Sequence, residues 1–449
     1  MLNIALDKKL TRNKGDLLLP ITIFLLMDLV SFSSRGFEEA QAELFSSDNF
    51  TRMLGLATCA SLLVLSFLRI RSIYIPGKPI MFLFIFWVLG LVSMLNGQWF
   101  MYSAVKLFEY AIFIGYAFYI FNLEKRGLRA IERAFRYVTY FIECLVFSVV
   151  IGLIISPSKA LYTGLNEYSA IRDAYLPFIL SGWIVVVTST SLGYFAAFLA
   201  YFQLVDIIRS KANASRILKL TFYFVVMILA QCRIAIIGFL IVSALVLLLA
   251  SKKPKSIAFL AIVSILIFIN SEYIITFFRR GQSNDMMLSL SGRTEWWSYA
   301  LDYFDKASIL QKLIGGGFAA TEKMIAYQSN AAMYTLDSEF LAVLMSTGML
   351  GVGAWGASII SLYRIILVTK PKIVEKKKQY DDLWFKAMGT VLMITLRMIT
   401  TTTLAVTTYY LGFYLICSLV FQLILQRESI YRCKYSQFPP NEEVECNDK

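Results

Sequence analysis

Apolar runs of membrane-spanning length recur along nearly the whole chain, and no other feature limits the fold as strongly. A helix needs about 20 residues to cross roughly 30 Å of hydrocarbon. Counting apolar runs on that basis predicts about twelve spans. They lie near 17–34, 53–69, 79–96, 101–121, 136–156, 188–208, 219–232, 233–250, 257–278, 349–368, 385–399 and 404–425. Lipid offers the backbone no hydrogen-bond partners, so each crossing must be solved as a helix. The expected class is therefore an all-α polytopic membrane protein. Composition agrees, since 58% of the 449 residues are hydrophobic and only 16% are charged, which is outside the soluble range. The run 17–34 has no small-x-small cleavage site after it, and reads as a first span rather than a removable leader.

The formal net charge of +13 invites a nucleic-acid partner, but its distribution excludes that reading. Lys and Arg cluster in alternate loops: Arg69 and Lys78; Lys125 to Arg136; Arg209 to Lys219; Lys252 to Lys255; Lys370 to Lys378. That alternation is the positive-inside pattern, with both termini cytoplasmic. The same pattern requires 219–232 and 233–250 to be two helices, because one long helix would break it. The predicted organisation is a cytoplasmic N-terminus at 1–16, nine spans over 17–278, and a large outer loop with a short helix at 279–348. Three further spans over 349–425 and a cytoplasmic tail at 426–449 complete it. The six cysteines are scattered and provide no disulfide framework. The chain contains no histidine, which removes imidazole acid–base chemistry, histidine metal ligands and every Ser-His-Asp arrangement.

Polar residues suited to chemistry concentrate on the outer side. In the long loop, 293–305 reads as an amphipathic helix with Trp296, Ala300, Tyr303 and Phe304 on one side. From Asp337 a short helix should lead to Gly348, where the chain turns into the next span. The apolar stretch 178–187 is too short to span and is expected to be interfacial or re-entrant. Arg172, Arg233, Arg280, Arg293 and Arg397 all fall on the outer side. Taken singly, each has an ordinary reading as an exposed or snorkelling arginine. Together they suggest an anionic ligand, because guanidinium grips phosphate in a bidentate way and stays charged. Asp337 and Glu339 are candidate general bases, although acids at a helix start also serve as caps. Lys106 and Glu109, at i and i+3, are expected to pair structurally. No phosphate-binding glycine loop or metal-ligand cluster is present.

Four motifs resemble one family, the O-antigen ligases and the O-antigen or capsule (Wzy-type) polymerases. Asp337-Ser338, nine residues, then Gly348, Met349-Leu350 and Gly351 fit the ligase pattern at every position but the first, where ligases carry histidine. Gly292-Arg293 followed by Trp296, and Leu313-Ile314-Gly315-Gly316-Gly317-Phe318, resemble two further elements. Gln231-Cys232-Arg233 is similar to the family's Ser-Arg at a span end, and Arg172 stands where an outer-loop arginine is expected. The resemblance implies a membrane glycosyltransferase resembling the GT-C type, in the bacterial inner membrane, needing no cofactor. Its donor and acceptor would be oligosaccharides on undecaprenyl diphosphate, in a lipid setting, with a chain-length regulator and a flippase as partners. It also implies that Arg172, Arg233 and Arg293, with Arg280 and Arg397, hold the diphosphate while Asp337, with Glu339 as runner-up, is the base. Absence of the ligase histidine points to a polymerase, with a ligase as the alternative. A lipid-linked sugar flippase is a third class, disfavoured because no half-to-half similarity is present.

Overall fold

The computed structural model describes Ile23 and residues 47–68, 70, 73–97, 99–123, 128–162, 178–181, 187–209, 213–250, 271–279, 289, 293–320, 336–369 and 378–436. Within them the protein is almost wholly helical. In chain order the helices are α1 (Ser47–Phe67), α2 (Lys78–Met94), α3 (Phe100–Asn122), α4 (Leu128–Ile155), the single turn α5 (Pro157–Ala160), α6 (Ser189–Arg209) and α7 (Ala214–Leu229). They continue as α8 (Arg233–Ala250), α9 (Ser271–Arg279), α10 (Arg293–Lys306), α11 (Ile309–Ile314), α12 (Glu339–Val368), α13 (Lys378–Met398) and α14 (Tyr409–Ser436). Five of these described helices are long and apolar enough to cross a membrane, namely α3, most of α4, α6, α12 and the first part of α14. Most of α1, the whole of α2 and most of α8 form shorter apolar helices. The expected span at 17–34, apart from Ile23, and the first part of 257–278 lie outside the described residues.

Local sequence accounts for most helix ends. Pro79 occupies the first turn of α2, where its missing N–H has no partner to lose. The Asn213 side chain accepts from the Arg216 N–H at 2.8 Å and caps α7. Ser308 and Gln311 form a reciprocal capping box on α11. Between α7 and α8 the helix breaks at 230–232, with Gln231 at φ 48°. The predicted pair of helices is therefore present, although both pack mainly on α6 rather than on each other.

Where described, the stretch 178–187, expected to be interfacial or re-entrant, is extended: Ile179–Leu180 pairs antiparallel with Leu161–Tyr162, a minute sheet among otherwise helical described residues. Two expected boundaries need correction. The last span does not begin at 404, because 399–408 is an irregular loop and α14 starts at Tyr409. The helix then runs on to Ser436, so the first part of the predicted tail is helical.

Burial ranks the helices. In α14 and α6 the most apolar window is 83% and 67% buried, against 28% in α12 and 39% in α4. Helices apolar on all sides belong at the centre, and α6 and α14 meet there through Phe195, Phe198, Tyr410 and Phe413. Polar side chains join helices where packing alone gives little in lipid. Ser358 of α12 donates to the Pro79 carbonyl at 2.8 Å and lies 2.9 Å from the Tyr414 hydroxyl, tying α2, α12 and α14 together. At one end of the bundle, Arg209 of α6 pairs with Asp381 at 2.9 Å and Asp382 at 3.0 Å, while Lys386 pairs with Asp206 at 2.8 Å.

Candidate functional site

The opposite end holds Asp337, Glu339, Arg293 and Arg397 among the residues singled out above. Leu336 is fully buried and anchors the chain as it enters α12. Asp337 follows at φ 47°, a left-handed conformation that Asp tolerates better than most residues. Ser338 is the N-cap residue and makes no side-chain cap bond. The Asp337 carboxylate accepts from Nε of Arg293, the first residue of α10, at 2.9 Å, with the two side chains 19% and 29% exposed. Beside this pair the Trp297 indole donates to the Leu336 carbonyl at 3.0 Å. Ala300 of α10 packs with Leu341, Leu344 and Met345, flanked by Trp297, Tyr303 and Phe304. The predicted amphipathic face is the docking face, with Trp297 rather than Trp296 in the packed cluster.

Glu339 is fully buried. Its carboxylate accepts backbone N–H groups from Leu404 at 2.8 Å, Ala405 at 2.6 Å and Thr403. Three N–H donors around one carboxylate compensate its loss of water. A second carboxylate holds the same loop: Glu109 receives Lys106 Nζ at 3.0 Å, the structural pair expected from their spacing, and also the Thr407 hydroxyl at 2.7 Å. The 399–408 loop is thereby fixed from both sides.

That loop follows Arg397, which ends α13. Arg397 is 7% exposed. Its guanidinium lies 4.0 Å from the Tyr410 ring centroid and 5.0 Å from that of Tyr194, favourable cation–π geometry. Among the described residues its Nε and Nη1 have no hydrogen-bond partner. A largely buried cation with two of its three nitrogens unbonded is incompletely compensated. Arg233 opens α8 and donates from Nη2 to the Arg279 carbonyl at 3.3 Å. Cys232 beside it lies against Gly193 of α6, close to Tyr194. Arg172 and Arg280 lie outside the described residues.

The glycine elements have a packing role. Gly348 interrupts α12 with φ 64°, the turn predicted there, and a side chain on it would overlap the Leu313 carbonyl. Gly315, at φ 83°, approaches the Ser346 carbonyl as closely. Gly316 donates to the Met345 carbonyl at 3.1 Å, Gly317 to Ser93 Oγ at 2.9 Å, and Ala319 to Ser346 Oγ at 3.2 Å. Only glycine permits this backbone contact, which sets the direction in which α12 presents Asp337 and Glu339.

Sequence reasoning missed Tyr194, Tyr410 and the N–H groups of 403–405. Aromatics within apolar spans read as core, and main-chain donors have no residue signature. The assembled end of the bundle offers a buried guanidinium, a part-buried Arg–Asp pair and several tyrosines, a chemistry suited to an anion and a hydroxyl-bearing co-substrate. No curated protein matches the chain. The model of the O-antigen ligase family matches residues 220–356, a stretch that contains Arg233, Arg293, Asp337 and the Gly348 kink. Residues 220–356 are thus similar to the O-antigen ligase family, which is consistent with the resemblance to O-antigen ligases and polymerases drawn from the sequence.

Proposed function

We propose that the protein is a surface-polysaccharide polymerase, joining repeat units carried on undecaprenyl diphosphate at the outer face of the bacterial inner membrane. The observation that supports it best is Arg397, a buried guanidinium without a carboxylate or other hydrogen-bonding partner among the described residues for Nε and Nη1. The diphosphate of a lipid-linked donor would complete that environment. In this reading Arg397, Arg233 and Arg293, with Arg172 and Arg280 from the outer loops, face the diphosphate and stabilise the charge that develops as it leaves. The bond from the donor sugar to the diphosphate breaks. A bond from the acceptor hydroxyl oxygen to that sugar forms, and the hydroxyl proton passes to Asp337.

Asp337 is engaged by Arg293 at rest. Binding of the diphosphate would draw that guanidinium away and leave the carboxylate oxygen for the acceptor. Glu339, with its oxygens committed to the backbone of 403–405, then serves to hold the loop after Arg397 rather than to move the proton. The wider proposal comprises about twelve spans in a GT-C-like arrangement, with both termini cytoplasmic. Its partners are the lipid-linked donor and acceptor, a chain-length regulator and a flippase. No cofactor takes part in it.

A ligase is the second reading, because the matching family is described by that activity. The absence of histidine from the chain supports the polymerase. The test is a null strain complemented with wild type or Asp337→Asn, with surface polysaccharide resolved on a gel. Single repeat units on the core, with the ladder lost, are the polymerase result. Loss of all glycan from the core, with long chains accumulating on lipid carrier, would establish the ligase. Unchanged polysaccharide with Asp337→Asn would remove the proposed chemistry.

A further inference from the structure

The short helix α11 carries its polarity inside out. Ile309, Leu310 and Leu313 share one side of it and are 80%, 55% and 45% exposed. Its polar side chains turn back into the protein. Lys312 donates to the Asp305 carbonyl at 2.8 Å and lies over the Phe304 ring of α10. Gln311 accepts from the Ser308 N–H at 3.2 Å. A helix facing water buries its apolar side and shows its polar one. Here three large aliphatic side chains point outward from one short helix, an arrangement that suits an apolar medium.

The neighbours of α11 set its depth. Beyond the kink at Gly348, α12 continues through 349–368, about 30 Å of helix and the thickness of the hydrocarbon core. Lys370 follows its far end. Gly348 therefore marks the level at which hydrocarbon begins. The backbone of Leu313 and Ile314 lies against Gly348, and that of Gly315 against Ser346. Gly317 donates to Ser93 near the end of α2, and Gly97, just past that helix, touches Gly316 and Gly317. The end of α11 is thus level with the ends of two apolar helices. At the same level the Trp99 and Tyr102 rings meet edge to face at 6.5 Å, residue types that favour a bilayer interface. Met349 and Leu350, the first residues of the α12 span, are themselves exposed, as lipid-facing side chains are. Since α11 is only about 9 Å long, Ile309 also stays within the interfacial zone.

We propose that α11 is an interfacial helix whose Ile309, Leu310 and Leu313 insert among the acyl chains of the leaflet nearest the Arg293–Asp337 pair. The partner is the bilayer surface itself, not a particular headgroup. Only Ala307 and Ser308 separate α11 from α10, so lipid holds the C-terminal end of the helix that presents Arg293. The inference depends on the chain spanning a membrane, and not on the polymerase reading.

The test uses the full-length protein in nanodiscs of phosphatidylcholine bearing a photoactivatable diazirine on one acyl chain. Two probes are compared, one with the diazirine near the carbonyl and one with it near the terminal methyl. Modified residues are mapped by mass spectrometry after irradiation. The carbonyl-end probe should modify Ile309, Leu310 or Leu313 and exceed the methyl-end probe there. Ile360, exposed at the middle of the α12 span, should show the reverse preference. In the double variant Ile309→Asp and Leu310→Asp, modification of Leu313 should fall about tenfold or more, because burying one large aliphatic side chain already supplies that factor. Modification of Ile360 should be unchanged. The wild-type comparison stands without the variant. Protection of 309–313 from both probes while Ile360 is modified, as a second copy of the chain seated there would give, would overturn the proposal. So would a methyl-end preference on α11, or undiminished modification of Leu313 in the variant. None of these readouts depends on polysaccharide synthesis, so the inference stands or falls separately from the proposed reaction.

Discussion

Where α6 ends at Arg209, cations meet carboxylates directly: Arg209 with Asp381 and Asp382, Lys386 with Asp206, and Lys219 with Glu143. Where α13 ends at Arg397, the cation faces two tyrosine rings, while the nearby buried carboxylates are turned elsewhere. Glu339 binds backbone N–H groups and Glu109 binds Lys106 and Thr407. Both arrangements satisfy carboxylates. They differ in whether a buried guanidinium is completed by the chain itself. Internally completed pairs fix the helices, whereas an incompletely satisfied cation retains capacity for an external anion.

That comparison can be broken by substitution at either end. The largest effect is expected for Asp337→Asn, which keeps the shape but removes the base. Polymer formation should fall by about 10²–10⁴-fold, measured as turnover on lipid-linked repeat units with the protein in detergent. Wild-type turnover would sever Asp337 from the chemistry.

Arg397→Met should lower turnover by about 10²–10³-fold, the scale seen when one donor to developing negative charge is removed. Unlike most losses of activity, this one should leave the melting temperature unchanged or raise it, because an incompletely compensated buried charge is replaced by an apolar side chain. A fall in melting temperature would show that Arg397 is a structural cation like Arg209, and the contrast between the two ends would collapse. Arg209→Ala should behave in the opposite way. It leaves Asp381 and Asp382 without their cation and should cost about 1–3 kcal/mol of stability, read from thermal unfolding, while turnover per folded molecule is retained.

Smaller effects calibrate the packing around the site. Gly348→Ala places a side chain at positive φ against the Leu313 carbonyl and should destabilise by about 1–3 kcal/mol. Gly353→Ala, on the same helix, meets no atom within 4 Å and should stay within about 0.5 kcal/mol of wild type. Equal effects at the two positions would mean that the kink does not govern the approach of α11 to α12.

Several structural features could be read directly from the sequence because they are local. Hydropathy placed helices along most of the chain, and period-3.6 spacing placed α10 with Ala300, Tyr303 and Phe304 on its docking face. Gly348 announced a turn between the short helix and the span. The break at 230–232 followed from charge alternation, which required two helices where apolar content alone allowed one. By contrast, the start of the last helix was misplaced because Leu404, Ala405 and Val406 are as apolar as a span. What keeps the segment irregular is Glu339, whose carboxylate holds the N–H groups of Thr403, Leu404 and Ala405 across more than sixty residues of sequence.

The candidate site divides along the same line. By itself the sequence pointed to a helical membrane chain, singled out a set of arginines and Asp337 as the groups to consider, and left no imidazole for the chemistry. Tertiary structure alone decided which of them meet. It paired Arg293 with Asp337 across 44 residues, turned Glu339 toward the 403–405 backbone, and buried Arg397 against Tyr194 and Tyr410. The physical reason is that hydropathy and helical period are written in neighbouring residues. The compensation of a buried charge depends on whatever distant group the packing brings within about 3–4 Å.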